Sequence, residues 1–298
     1  MISKILGKDK INLIYWEADN FGDILNKDLI EELTGKKTVH KEGGPFLKNF
    51  VRLVLSAIIK VNPKLISKVV FPWQTTYVCV GSILCWADKH SKIWGAGFMN
   101  NHEKFSGGEV YAVRGPLTNN KLKELGGRGT DVYGDPALLL PLWIPEKKHK
   151  RYKLGIIPHW KETEFFKERF GSKYNIIDLR TRDVKSVMNQ ILDCEYILSS
   201  SLHGLIVPHA YNRPALWIKH GYIDTDGFKF EDYFASVGIP NYSGFENFES
   251  ILESEEKWME LFEKNKDIAV PHVSIMELQK KLLSVAPFPL KEKYKIFQ

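Results

Sequence analysis

Residues 199–204, Ser-Ser-Ser-Leu-His-Gly, are where residue type and spacing point most directly to chemistry. Three hydroxyls and an imidazole fall where a short apolar run, 196–199, gives way to a helical pattern over 204–211. Backbone N–H groups at a helix start bind anions, and Ser200 and Ser201 add hydroxyl donors. His203, titrating near neutrality, would serve as general acid or as a cationic phosphate partner. Gly204 relieves crowding beside the ring. The plainer alternative is a packed histidine with serine caps. No GxSxG frames these serines, which argues against a hydrolase nucleophile elbow.

Other candidates also sit where a strand pattern meets a helix pattern. In Asn20-Phe21-Gly22-Asp23, the glycine admits close backbone approach, while Asn20 and Asp23 offer hydrogen bonds to sugar hydroxyls or to a helix end. An Asp N-cap with a Gly turn is the alternative. Gly81-Ser82 follows an apolar run and suits an anion, as does Gly95-Ala96-Gly97, although turn glycines explain both as well. Arg114 closes a strand pattern just before Gly115-Pro116, a good place for a guanidinium to meet phosphate or carboxylate, or to form a structural ion pair. His159 ends the run 153–158 in the same way. There is no GxGxxG, no P-loop and no histidine or cysteine spacing that suits a metal, so no metal is expected.

The elements that must position these residues alternate along the chain. Runs at 11–16, 76–81, 93–97 and 109–114 read as strands, with helices at 24–33 and from Pro116. Residues 141–151 carry two prolines and then a charged run, which makes them the best linker. Beyond it, strands at 153–158, 175–179, 196–199 and 215–218 alternate with helices at 161–170, 184–193 and 204–211. The expectation is an α/β protein of two β/α halves, residues 1–145 and 146–298, each with a mostly parallel sheet. The tail over 248–283 is helical by spacing and is expected to pack back across the first half.

Composition narrows the function classes. The chain has 298 residues, 44% hydrophobic and 26% charged, which excludes disorder and a fibrous repeat. No uncharged apolar run reaches the length of a membrane span. Lys4, Lys8 and Lys10 break any apolar leader, so a cleaved secretion signal is not expected. Three cysteines without a CxxC fit reduced thiols in the cytoplasm. The net charge of +6 is too weak to argue for nucleic acid. From Gly43 to Ala87, however, there is no acidic residue, and Lys48, Arg52, Lys60, Lys64 and Lys68 stand there alone. An amphipathic pattern over 46–59 lies inside this stretch. Residues 43–70 therefore form a candidate peripheral contact with the inner face of a membrane, the alternative being an ordinary solvated helix or inter-domain packing.

Taken together and in order, NFGDILN (20–26), VGSILCWAD (80–88), IWGAGF (93–98), AVRGPLT (112–118), YGDPALLLP (133–141) and SSLHGLIVPHAY (200–211) resemble the polysaccharide pyruvyl transferases, in particular the ketal-forming exopolysaccharide branch. The resemblance runs from about residue 10 to 220. It implies two Rossmann-like domains facing a cleft, as in GT-B glycosyltransferases. The first domain would face the acceptor, and the second would hold the donor through its Ser-Ser-Leu-His-Gly segment. The donor would be phosphoenolpyruvate and the acceptor a sugar diol of a cell-surface polysaccharide or its lipid-linked precursor, with no cofactor. By the same resemblance, Arg114 and His203 would be catalytic. Asn20, Gly22, Asp23, Gly81, Ser82, Asp135, His159, Ser200, Ser201 and Gly204 would bind substrate. Pro208 departs from the family pattern, which has a small residue there. A nucleotide-sugar glycosyltransferase on the same architecture and a non-catalytic carbohydrate-binding protein are the alternatives.

Overall fold

The computed structural model describes residues 10–296 apart from Pro45 and Lys148; Lys4 and Lys8 lie outside the described residues. The chain forms two separate, all-parallel sheets. The first comprises β1 (Ile11–Ile14), β2 (Thr38–Lys41), β3 (Thr76–Val78), β4 (Ser91–Trp94) and β5 (Glu109–Ala112), in the order β2-β1-β3-β4-β5. The second comprises β6 (Tyr152–Ile157), β7 (Asn175–Ile176), β8 (Cys194–Ser199) and β9 (Ala215–Trp217), in the order β7-β6-β8-β9. Both sheets share a doubly wound plan in which the winding direction reverses once, between β1 and β3 and between β6 and β8. Strand side chains such as Leu13, Ile93, Ile156, Ile197 and Leu216 are fully enclosed or nearly so, as expected where helices cover both faces of a parallel sheet.

Crossover helices follow the strands: α1 (Phe21–Thr34), α2 (Phe46–Ile59), α3 (Pro116–Glu124), α4 (Thr163–Phe170), α5 (Val184–Leu192) and α6 (His203–Ala210). Asn20 caps α1, its side-chain oxygen accepting from the Gly22 N–H at 3.0 Å. The halves are joined by a 3₁₀ segment, Pro136–Leu142, and then by the charged stretch, which has no regular element up to β6.

Two elements carry no periodic signal in the sequence. β2 holds a single aliphatic residue, Val39, and is a strand because it pairs with β1 in the register Ile11↔Thr38 to Ile14↔Lys41. α7 (Phe228–Ser236) is rich in aromatics and buried on several faces. It belongs to the second half by sequence but packs on α3 of the first.

The tail comprises α8 (Phe248–Ile251), α9 (Glu255–Lys264), α10 (Lys266–Ala269), α11 (Ile275–Ser284) and α12 (Glu292–Lys295). Against expectation, α8 to α10 pack on the second sheet, Phe248, Trp258 and Phe262 lying with Leu154, Ile156 and Leu216, and only α11 and α12 return to the first half. The Trp94 indole donates to Leu282 O at 2.9 Å, Gln279 to Leu138 O at 2.7 Å, and the Tyr294 hydroxyl to Glu32 at 2.9 Å. One hydrophobic core runs through both halves, from Leu13 and Ile93 to Leu205, Phe230 and Leu282, and a second lies between the second sheet, α4 and α8 to α10.

Candidate active site

The carboxyl ends of both sheets at their reversal points open on one cleft of about 240 Å³. In open α/β sheets, ligands bind at such points. The loop after β1 contributes Trp16, Asn20 and Asp23, and the turn after β3 contributes Gly81 and Ser82. From the second sheet, the loop after β6 brings His159 and Trp160, and the turn after β8 brings Ser201, Leu202 and His203. Lys229, in the first turn of α7, completes the polar wall, while Trp86 and Met99 add apolar surface.

The N-terminal motif acts at a distance as well as locally. Asn26 is fully buried and reads both backbone groups of Val80: its amide donates to Val80 O at 2.9 Å and its oxygen accepts from Val80 N at 2.8 Å. That pair fixes the Gly81-Ser82 turn against α1. Gly22 lies under the His203 ring, where a Cβ would overlap Nδ1. A side chain at position 22 would expel the imidazole from its place.

His203 Nε2 stands 3.8 Å from Asp135 Oδ2, beyond hydrogen-bond distance, and both atoms are enclosed with no hydrogen-bond partner among the described residues. The other Asp135 oxygen accepts from Ala137 N at 2.9 Å, fixing the carboxylate behind the ring. Burial, reinforced by Lys229 and Arg114, pushes His203 down to about 3, so the ring of the free protein is neutral at neutral pH. Burial pushes Asp135 up to about 6 against the pull of the Ala137 N–H and Arg114. Asp23 is pushed up by burial to about 7, opposed by a hydrogen bond from the Trp16 backbone and by Lys229. Lys229 is lowered to about 8 by burial and by Arg114, which leaves it a cation at neutral pH. His159 falls to about 3 through burial, Lys229 and Lys161.

Arg114 is not at the cleft wall. Its side chain is 0% exposed. Nε donates to Asp232 at 2.9 Å, one terminal nitrogen to Ser82 Oγ at 2.6 Å and the other to the Phe98 carbonyl. Asp232 also accepts from the Thr118 N–H at 2.8 Å and the Thr118 hydroxyl at 2.7 Å, so a carboxylate from α7 caps α3. This is the structural ion pair left open by the sequence. Arg114 reaches the cleft only through Ser82, whose hydroxyl accepts from it and so retains its own proton to donate.

Of the other expected residues, Asn20, Asp23, Gly81, Ser82, His159, Ser201 and His203 line the cleft, whereas Gly22 and Asp135 stand behind His203. Ser200 faces away, donating to Glu162 and accepting from His159 N at 2.8 Å, which holds the His159 loop in place. The expectation for Gly204 changes too: its close neighbours are Ser199 Oγ and Ile157, so it makes room for β8 and β6 rather than for the imidazole. Sequence reasoning missed Lys229, Asp232 and the aromatic wall of Trp16, Trp86 and Trp160. Lys229 lies in Gly-Phe-Lys-Phe-Glu-Asp, and the one available signal was a lone cation between two phenylalanines. The site as a whole is a doubly wound α/β cleft with one buried cation, hydroxyl and backbone donors, two carboxyls raised toward neutrality and three indoles.

Residues 93–222 match the family model described as polysaccharide pyruvyl transferase, the family that the motifs resemble. The matched segment runs from β4 past β9 and holds Arg114, Asp135, His159, the serines and His203; the α1 motif and Lys229 lie outside it. The chain is also similar to an uncharacterised protein of Acanthamoeba polyphaga mimivirus, 29% identical over 243 residues, covering 78% of this chain and 76% of that protein. A more distant relative is the succinoglycan biosynthesis protein ExoV of Rhizobium meliloti, 25% identical over 237 residues, covering 76% of this chain and 64% of that protein.

Proposed function

We propose that the protein transfers a pyruvyl group from phosphoenolpyruvate to two hydroxyls of one sugar in a polysaccharide or its precursor, forming a cyclic ketal and releasing phosphate. The family match and the succinoglycan relative support pyruvyl transfer onto a polysaccharide. The observation that carries the finer reading is the cleft itself, which joins a buried cation and an open helix start to an acid, a base and an indole wall. We further propose that residues 1–145 and 146–298 act as acceptor and donor domains in the manner of GT-B enzymes.

Phosphoenolpyruvate carries a carboxylate and a phosphate. Lys229 faces one of these anions. The backbone N–H groups of Leu202, His203 and Gly204 face the other, none of them having an acceptor at the start of α6 among the described residues. Ser82 and Ser201 add hydroxyl donors. With a value near 7, Asp23 is a carboxyl still partly protonated at neutral pH, suited to give its proton to the enol methylene. The carbon beside it then becomes electrophilic. His203, neutral and set beside the Asp135 carboxylate, takes the proton of the first attacking hydroxyl. The carbon–oxygen bond to phosphate breaks and the departing phosphate takes the proton from His203; the second hydroxyl adds to the same carbon, returns its proton to the Asp23 carboxylate, and the ketal closes. The indoles of Trp16, Trp86 and Trp160 supply flat apolar faces for the acceptor sugar.

Release of phosphate from phosphoenolpyruvate, measured against a panel of acceptor glycans, tests the reading. Acceptor-dependent phosphate release supports it. Stabilisation of the protein by UDP but not by phosphoenolpyruvate in a thermal shift would point to a nucleotide-sugar transferase instead.

A further inference from the structure

α2 breaks the usual rule for a surface helix, which turns its apolar stripe to the core. Only Leu53 and Ala57 of this helix are buried. Leu47, Val51, Leu55 and Ile58, at spacings of four, four and three, form a stripe that faces outward, with Leu47 71% and Ile58 69% exposed. The helix then ends in an apolar tip, Ile59 at 78% and Val61 at 87% exposed. Val61 takes a φ of 48°, a left-handed conformation that disfavours a β-branched residue. Trp73, 77% exposed, stacks on Phe71 at 5.0 Å beside the same surface.

The charges around this stripe that have no ionic partner among the described residues are of one sign. Lys48, Lys60 and Lys64 are exposed and have no acidic partner among the described residues, while Arg52 is engaged by Glu42. A second copy of the chain docking by this face would set these lysines against the same lysines. An anionic bilayer meets both features at once, taking the apolar stripe below its headgroups and the cations among them. Asn49 and Arg52 of this helix also line a depression of about 320 Å³ that shares Trp16 and Trp86 with the candidate active site.

We propose that α2 and the tip through Val61 lie in the headgroup region of an anionic membrane, and that the surface opens from there directly into the catalytic cleft. The bilayer contact stands on the surface alone; its purpose, delivery of a lipid-linked sugar diol to the cleft, rests on the reaction proposed above.

Flotation with vesicles of phosphatidylcholine alone, and of phosphatidylcholine and phosphatidylglycerol in equal parts, tests the proposal at low salt. The protein should float with the anionic vesicles and remain behind with the neutral ones. Leu47→Ser/Ile58→Ser/Ile59→Ser, all at exposed positions, should bring anionic recovery down to the neutral level with melting unchanged. Lys48→Gln/Lys60→Gln/Lys64→Gln should weaken partitioning by about 100-fold. Equal recovery on both vesicle types, or undiminished flotation of both variants, overturns the idea. So does a concentration-dependent dimer that the serine variant abolishes, since the occupant is then a second copy. Phosphate release with a water-soluble acceptor should be the same in wild type and both variants. Loss of the membrane contact is thereby distinguishable from failure of the proposed reaction.

Discussion

Lys229 is buried, with Arg114 near it and the carboxyls Asp224, Asp23 and Glu162 offsetting its burial only in part, a costly position unless an anion arrives. Replacing it with methionine should leave the melting temperature unchanged or raise it, because a desolvated cation is removed. Affinity for phosphoenolpyruvate should fall by about 10- to 100-fold, the loss expected for a charge-assisted hydrogen bond. Paired thermal melts and KM measurements check both halves of this expectation, and a merely structural lysine would show the opposite pattern. Asp23 gives a pH signature. As the proposed acid, it must be protonated, so kcat should decline as pH rises through about 7, and Asp23→Asn should lower kcat and remove that limb. For His203, the sign of the stability effect is fixed by its lowered value. The folded state binds its proton less readily than the unfolded state, so the stability it contributes is present above the ordinary histidine value and is lost as pH falls toward about 3. Urea midpoints of wild type and His203→Gln should therefore differ in slope between about pH 6 and pH 4.

At the scale of elements, the Arg114–Asp232–Thr118 network, its ion pair fully buried, ties α7 of one half to α3 of the other. Asp232→Ala would leave the guanidinium charge buried and unpaired, at a cost of about 3–5 kcal/mol. Arg114→Met/Asp232→Leu removes both charges and should recover most of that loss in a urea titration, while still weakening turnover because Ser82 is no longer held. If the double variant proved as unstable as the single one, the network would owe its stability to something other than charge pairing. Gly22 shows how an element can position the proposed base without lining the cleft itself. Gly22→Ala should leave α1 intact, since alanine favours helix, yet displace the His203 ring and lower kcat far more than it raises the donor KM.

At the scale of the molecule, the two sheets are separate but the larger of the two cores spans both halves. α7, α11 and α12 pack on the first half, and the second half supplies all three. Unfolding should consequently be one cooperative transition by near- and far-ultraviolet circular dichroism. Two resolved transitions would show that each sheet holds its own stability.

Sequence alone determined what depends on local pattern. Short aliphatic runs bounded by Gly and Pro specified the parallel strands around the site, and helical spacing specified α1 and α3 to α6, because strand and helix periodicities are properties of neighbouring residues. The turn chemistry of Asn20, Gly81-Ser82 and Ser200–Gly204 marked the strand ends from which most of the cleft is built. Only the tertiary structure decided which polar groups line the cleft. Arg114 looked like an anion receptor from its own surroundings, but Asp232, 118 residues further along, is brought to it and encloses it. Lys229 stands out by nothing in its own surroundings, and only the packing of α7 carries it into the cleft. Asp135 and His203 became neighbours because the start of the 3₁₀ segment after the first sheet and the turn after β8 of the second converge. Burial and charge proximity arise from distant parts of the chain meeting in space, and they set the protonation states on which the chemistry rests.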